Sequence, residues 1–168
     1  MSVEVQLQSP FGPIRIEATA TGIRSVRFGE VSRCDTDEDP RVRDVAALAA
    51  EELAAYFRGA LKQFSVPVDF DDAGSFQRDI YSALMAVPFG CTTSYAALAA
   101  DAGRFGAARA VGGAMARNRI LIIVPCHRVI ASDGRIGGWS GPMGLKEKLH
   151  ALEGIGPLGG GISRGRGD

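Results

Sequence analysis

The chain has 168 residues, 46% hydrophobic and 23% charged, with a formal net charge of zero. That length suits one medium domain or two small ones, and the composition is that of a globular protein, not a disordered or fibrous one. No stretch approaches the roughly 18 apolar residues of a membrane span, and the opening MSVEVQLQSP lacks the basic and apolar regions of a signal peptide, so a cytoplasmic protein is expected.

Val3, Val5 and Leu7 alternate with polar residues, and Ile14, Ile16 and Ala18 repeat the pattern after the turn Ser9-Pro10-Phe11-Gly12-Pro13. With a third run at 23–28 after Gly22, this predicts an antiparallel meander. Residues 29–40 are polar and acidic and predict a loop, and Asp39-Pro40 starts a helix. The apolar face of that helix is assigned to Val42, Val45, Leu48, Leu53, Tyr56 and Phe57, with Gly59 as its stop. Val66, Val68 and Phe70 predict a short strand, and residues 71–74 a linker.

The second half is mostly helical. Ser75 is expected to cap a helix bearing Phe76, Ile80, Ala83, Leu84 and Val87 that ends at Pro88. Two short helices, 94–102 and about 107–117, flank Gly103-Arg104-Phe105-Gly106 as a helix-turn-helix candidate, a pattern shared with unrelated helical proteins. The second helix is made of small residues, including Gly112-Gly113, and projects one long cation, Arg109. Consecutive glycines fit either close helix packing or the approach of something large and flat, such as a minor groove that a projecting side chain could enter. Residues 75–168 hold 11 Lys+Arg against 6 Asp+Glu, and residues 1–74 hold 8 against 13. This asymmetry suits a polyanion partner or mutual attraction of the two halves.

Residues 120–124 read as a buried strand ended by Pro125. Cys126-His127 follows. A cysteine at a strand end beside a histidine is a nucleophile candidate whose pKa a nearby base or charge would lower. For a lone Cys-His pair an inert, buried structural cysteine is the favoured reading. Neighbours on a strand point to opposite faces, so a bridging water is the more natural proton path, with Glu153 able to orient the imidazole from a helix carrying Leu145, Leu149 and Leu152 inward. Three widely spaced cysteines, Cys34, Cys91 and Cys126, argue against a disulfide framework.

Pro125-Cys126-His127-Arg128-Val129 resembles the active-site signature of the O6-alkylguanine-DNA alkyltransferases. The similarity takes in Ser94-Tyr95, the run Ala108 to Met115, Asn118, Ser132-Asp133-Gly134, Gly138-Trp139-Ser140-Gly141, Lys146-Glu147 and Leu152-Glu153-Gly154. It is gapless from Tyr95 to Glu153, and Ser9-Pro10-Phe11-Gly12 resembles the family's opening turn. Coverage is essentially 3–154.

The resemblance implies an α/β (α+β) fold: a ribonuclease H-like domain over 1–72, a winged-helix-like helix-turn-helix domain over 75–154, and a flexible tail over 155–168. It implies irreversible transfer of an alkyl group from O6 of guanine, with O4 of thymine a further candidate, to Cys126. His127 would take the thiol proton through a water, Glu153 would polarise His127, and Tyr95 would assist guanine departure at N3. Asn118 would brace the turn before the Cys segment. Val129, Ser140, Trp139, Gly141 and Met115 would bind the base. Arg109 would fill the hole left by a flipped nucleotide, with Ala108, Ala110, Gly112, Arg117, Arg128 and Ser94 on the DNA surface. The implied partner is double-stranded DNA bearing O6-alkylguanine, bound by a monomer without a cofactor.

The sequence departs from the family at several points. The zinc site of some relatives is not expected, because no histidine precedes His127 and Cys34 is the one cysteine of the first domain. Trp139 replaces a usual tyrosine, Leu121 a pocket proline of some relatives, and Cys91 a polar loop residue. Alternatives in other classes are a non-enzymatic lesion binder and a Cys-His-Glu thiol hydrolase.

Overall fold

The computed structural model describes residues 1–32, 39–131 and 141–156. The chain divides into two compact units, one of Met1–Asp71 with Arg119–Ile123, the other of Asp72–Asn118 with the chain from Val124. The excursion at 119–123 lies inside the stretch 75–154 that the sequence assigns to the second domain.

In the first unit β1 (Ser2–Ser9), β2 (Gly12–Thr19) and β3 (Ile23–Phe28) form the expected meander, in the order β1-β2-β3. Alternation sends Ile14, Ile16 and Ala18 of β2 fully inward. Helix α1 (Pro40–Phe57) covers that face, with the Asp39 side chain accepting from Arg41 N–H as its cap. The buried stripe of α1 is Val42, Ala46, Ala49, Leu53, Tyr56 and Phe57, with Val45 and Leu48 half-buried at its margin. Alanines let the helix sit close to the sheet but give little hydropathy contrast, so the sequence reading placed the stripe slightly off.

Beyond α1 the expected strand at 66–70 shrinks to one parallel bridge, Ile23 with Val68, held by Ile23 N–H to Pro67 O and Asp69 N–H to Ile23 O, each 2.8 Å. A Cβ on Gly22 would lie 2.7 Å from the Val68 carbonyl carbon, so only glycine fits there. Glu52, buried on α1, accepts from the backbone N–H groups of Ser65 and Val66, both 3.0 Å, and so pins the returning chain.

The predicted strand at 120–124 is not a strand. Ile120 makes a single parallel bridge with Val26 and the chain then turns. Ile123 N–H bonds back to Leu121 O at 2.8 Å around Ile122, whose φ is +72°. This tight γ-like turn on a β-branched residue is strained. Every residue of the run is at most 3% exposed, so its continuous hydrophobicity reports burial on all sides, not strand geometry.

The second unit holds α2 (Ser75–Met85), α3 (Tyr95–Asp101), α4 (Ala108–Ala116) and α5 (Leu145–Leu152). Gly74, not Ser75, takes the N-cap position of α2, without a side-chain cap. Ser94 caps α3 by accepting from Ala97 N–H at 3.1 Å. Gly103, at φ +72°, ends α3 with paired bonds from Gly103 N–H to Ala100 O and Arg104 N–H to Ala99 O. The chain then enters α4, completing the helix-turn-helix, and Tyr81 Oη donates to Ala114 O at 2.8 Å to tie α2 to α4. Strand β4 (Thr93–Ser94) runs parallel to β5 (Val129–Ile130), which joins the chain before Tyr95 to the chain after Cys126. No described helix is long and apolar enough to cross a membrane.

Candidate active site

Cys126, His127 and Arg128 form one turn of 3₁₀-helix. Pro125 (φ −82°, ψ 63°) sets it up through a second γ-like turn, with Cys126 N–H bonded to Val124 O at 2.8 Å. The segment thus turns where an extended chain was expected. Asn118 braces it, its Nδ2 donating to Val124 O at 3.0 Å.

Helix α5 grips this turn from one face. Lys146, His150 and Glu153 recur at helical spacing and are all buried. Lys146 Nζ donates to Val129 O at 2.7 Å. His150 Nε2 donates to the His127 carbonyl at 2.6 Å. Glu153 is the C-cap residue, set by Gly154 (φ +71°) through bonds from Gly154 N–H to Ala151 O and Ile155 N–H to His150 O. Its carboxylate accepts from His127 Nε2 at 2.6 Å, Arg128 Nη2 at 2.9 Å, Arg128 Nε at 3.0 Å and Gly90 N–H at 3.1 Å.

These contacts define the electrostatics. Burial alone would raise Glu153, but the hydrogen bonds and charges of His127 and Arg128 hold it well below the usual carboxylate range. Burial pushes His127 down, opposed by Glu153 and reinforced by Arg128 and His150. A neutral His127 beside an ionised Glu153 carries its proton on Nε2, which leaves Nδ1 a lone pair, buried and without a hydrogen-bond partner.

Cys126 is 1% exposed. Burial pushes its thiol above the ordinary value, moderated by a hydrogen bond from Asn118, the Lys146 charge and nearby backbone N–H groups. The expected lowering of the thiol pKa is therefore corrected: desolvation outweighs the favourable partners, and Cys126 rests as a thiol. Lys146 is lowered to about 8 by burial, against the pull of Cys126 and Glu147. Tyr95 is raised by burial first and further by Cys126, whose ionised form would oppose a phenolate, so its phenol keeps its proton.

Cys126, His127, Glu153 and Asn118 are thus brought together, with Tyr95 near enough to Cys126 to interact with it electrostatically. Val129 is buried at the end of the same turn, Gly141 is half-buried, and Met115 is buried on α4. Trp139 and Ser140 lie outside the described residues, as do Cys34 and the tail from 157. On α4, Arg109, Ala110 and Arg117 are exposed, and Ala108 and Gly112 are half-buried. Arg128 departs from its expected place on the DNA surface. Its side chain is 6% exposed and is spent on Glu153 and on Val87 O, 2.7 Å from Nη1. Ser94, also expected at DNA, is 7% exposed with its hydroxyl capping α3. Lys146, His150 and the Gly90 N–H received no role from the sequence. The spacing 146, 150, 153 on one helical face was the available signal for the two side chains. Among the described residues no group of three His, Cys, Asp or Glu could hold a metal ion.

Residues 75–155 match the family described as 6-O-methylguanine DNA methyltransferase, DNA binding domain, and residues 4–70 match its ribonuclease-like domain. The methylated-DNA--protein-cysteine methyltransferase of Mycolicibacterium paratuberculosis is 40% identical over 151 residues, 88% of this chain and 89% of the relative. That of Methanosarcina acetivorans is 38% identical over 149 residues, 88% of this chain and 95% of the relative. Among solved structures, the O6-methylguanine methyltransferase of Mycobacterium tuberculosis superposes with a TM-score of 0.76 at 35% identity, covering 94% of this chain and 96% of that one. Mycobacterium tuberculosis OGT in complex with DNA gives 0.74 at 36% identity, covering 88% and 90%. With both halves matched and relatives at this identity over nearly their whole length, the chain belongs to the 6-O-methylguanine DNA methyltransferase family.

Proposed function

We propose that this chain repairs alkylated DNA by direct reversal, moving an alkyl group from O6 of guanine in duplex DNA onto the sulfur of Cys126, once per molecule. The observation that carries the reading is the buried Glu153–His127 pair, whose imidazole keeps an unpartnered Nδ1 on the residue that directly follows the buried, protonated Cys126. In this reading a bridging water passes the thiol proton to His127 Nδ1. Glu153, fixed by Arg128 and Gly90, stabilises the imidazolium. The sulfur attacks the alkyl carbon as the C–O6 bond breaks, and the electron pair stays with guanine. Tyr95 assists departure by donating toward N3. The proton lost by the thiol balances the one the product guanine carries at N1. The resulting thioether has no good leaving group, so the protein is consumed.

The target carbon is out of reach of a thiol in a stacked duplex, so the nucleotide leaves the stack at a cost of a few kcal/mol. Exposed Arg109 fills its place, and the small residues of α4 let the helix backbone approach the minor groove. The glycine pair favours this view. Among the described residues an added Cβ on Gly112 would meet Tyr95 Cε1 at 3.9 Å, and the atoms nearest one on Gly113 are the end of the Arg117 side chain, from 3.3 Å. The chain carries every named group itself, so a monomer suffices. The relatives named for methyl transfer to cysteine, and the relative held with DNA, support the same reading.

Intact-mass spectrometry after incubation with O6-benzylguanine, beside a methylated duplex oligonucleotide, tests it. A permanent gain of one alkyl group, absent in Cys126→Ser while DNA binding persists, is expected. Loss of the adduct with time means a hydrolase, and binding without any adduct means a lesion binder.

A further inference from the structure

We propose that His150 is a positioning residue for alkyl transfer: its hydrogen bond to the His127 carbonyl fixes the turn that aims the proton relay at Cys126. The inference rests on the reading of Cys126 as alkyl acceptor.

His150 is 4% exposed and lies three residues before Glu153 on α5. Residues at that spacing share a helix face. Glu153 holds the His127 ring, and His150 holds the backbone of the same residue, 2.6 Å from Nε2 to the carbonyl oxygen. His127 is thus gripped at two points by one rigid helix. A carbonyl can only accept, so the ring nitrogen involved bears a proton.

The grip has a physical reason. The turn 126–128 is one 3₁₀ turn, entered through two γ-like turns, the first of them strained at Ile122. Local backbone geometry of that kind is soft and does not by itself aim a side chain. A proton relay depends on aim, because a misplacement of about 1 Å can cost on the order of 100-fold in rate. A leucine in place of His150 would serve burial on α5 as well and would leave the His127 carbonyl without this donor.

His150 also faces charge. The turn packed against α5 presents Cys126, His127 and Arg128, and α5 itself adds Lys146 and Glu153. The His150 and His127 ring centroids are 6.5 Å apart, so a positive charge on His150 opposes protonation of His127. Its replacement is therefore expected to move the pH–rate profile as well as the rate.

The experiment is single-turnover transfer from O6-benzylguanine across pH for the natural protein, His150→Leu and His150→Gln, with thermal stability measured beside it. His150→Leu is expected to slow transfer about tenfold at neutral pH and to displace the pH profile. His150→Gln, whose amide nitrogen reaches about as far as Nε2, is expected to rescue most of the rate. If the leucine variant does not fold, His150→Asn, whose amide falls short of the carbonyl, replaces it with the same expected loss. A variant that melts lower but transfers at the natural rate and with the natural pH profile overturns the proposal and leaves Cys126 as acceptor. Failure of the natural protein to take up benzyl from either free base or duplex overturns both.

Discussion

The glycine pair of α4 offers a sharp test, because the fold and the DNA make opposite demands on it. Gly113 lies between exposed Arg109 and Arg117, four residues from each on the helix. A helix-interior glycine is about 1 kcal/mol less favourable than alanine. The nearest obstacle in the described structure is soft, since the atoms closest to an added Cβ belong to the flexible guanidinium of Arg117, from 3.3 Å. Gly113→Ala should therefore stabilise the protein by about 1 kcal/mol, which raises the Tm of a chain of this length by roughly 2–4 °C. On DNA the same methyl would hold the helix away from the groove floor. Transfer from a methylated duplex should fall about tenfold, the equivalent of ~1.4 kcal/mol, while transfer from free O6-benzylguanine stays at its natural rate. Thermal melts and single-turnover rates on the two substrates decide the matter. A lower Tm would mean that the glycine serves internal packing. Unchanged duplex transfer would mean that this face of α4 does not approach DNA, and the minor-groove reading would fail.

Arg109→Ala should lose far more activity on duplex than on free base, and Arg109→Lys, which keeps the charge but not the stacking plane, should recover only part of it. Equal losses on both substrates would assign Arg109 to the fold. Glu153→Gln strands the buried Arg128 and should destabilise by about 3–5 kcal/mol, measured by urea unfolding at pH 7. The Glu153 pKa is lowered from 4.5, so its contribution is complete above that value and is lost as pH falls below it. The gap between the natural protein and the Gln variant should narrow below that pH, and a constant gap would refute the linkage. Lys146→Met removes a charge that favours the Cys126 thiolate and should slow transfer most below pH of about 8, where Lys146 is charged. A rate ratio that does not shrink above that pH would show that the charge is irrelevant.

The sequence made some of this legible and hid the rest, for identifiable reasons. The meander was visible because β1 and β2 each alternate over one buried face, and α1 because Asp39-Pro40 is a cap with local chemistry. The stripe of α1 was misplaced because Ala46 and Ala49 are buried without being strongly hydrophobic. Residues 120–124 misled because five apolar residues in a row look alike as a strand and as a buried turn. Cys126 and His127 were visible as a pair, but two readings stayed open until the family resemblance closed them. Lys146 and His150 went unassigned because each donates to a backbone carbonyl, 17 and 23 residues away, and carbonyls leave no mark in a sequence. The resemblance placed Arg128 on the DNA surface, whereas its partner is Glu153, 25 residues on, a pairing that no local pattern displays.

Burial also explains how a reactive cysteine can wait safely. A thiolate exposed to solvent would meet every oxidant and electrophile in the cell. Here desolvation keeps Cys126 protonated and His127 neutral, so no charge separation exists at rest. Glu153 cannot serve as the base, because its oxygens are already bonded to His127, Arg128 and the Gly90 N–H and its pKa lies far below that of a thiol. Among the described residues two buried imidazole nitrogens keep free lone pairs, His127 Nδ1 and His150 Nδ1, and the proposed relay uses the first, whose ring Glu153 polarises. Proton transfer to it creates an anion at sulfur and a cation on imidazole in a low-dielectric site, which is unfavourable unless something consumes the anion. On the proposed reading an alkylated guanine does so, because the negative charge passes on to the departing base, and the thiol is then activated only in the presence of its substrate, which suits single-turnover chemistry.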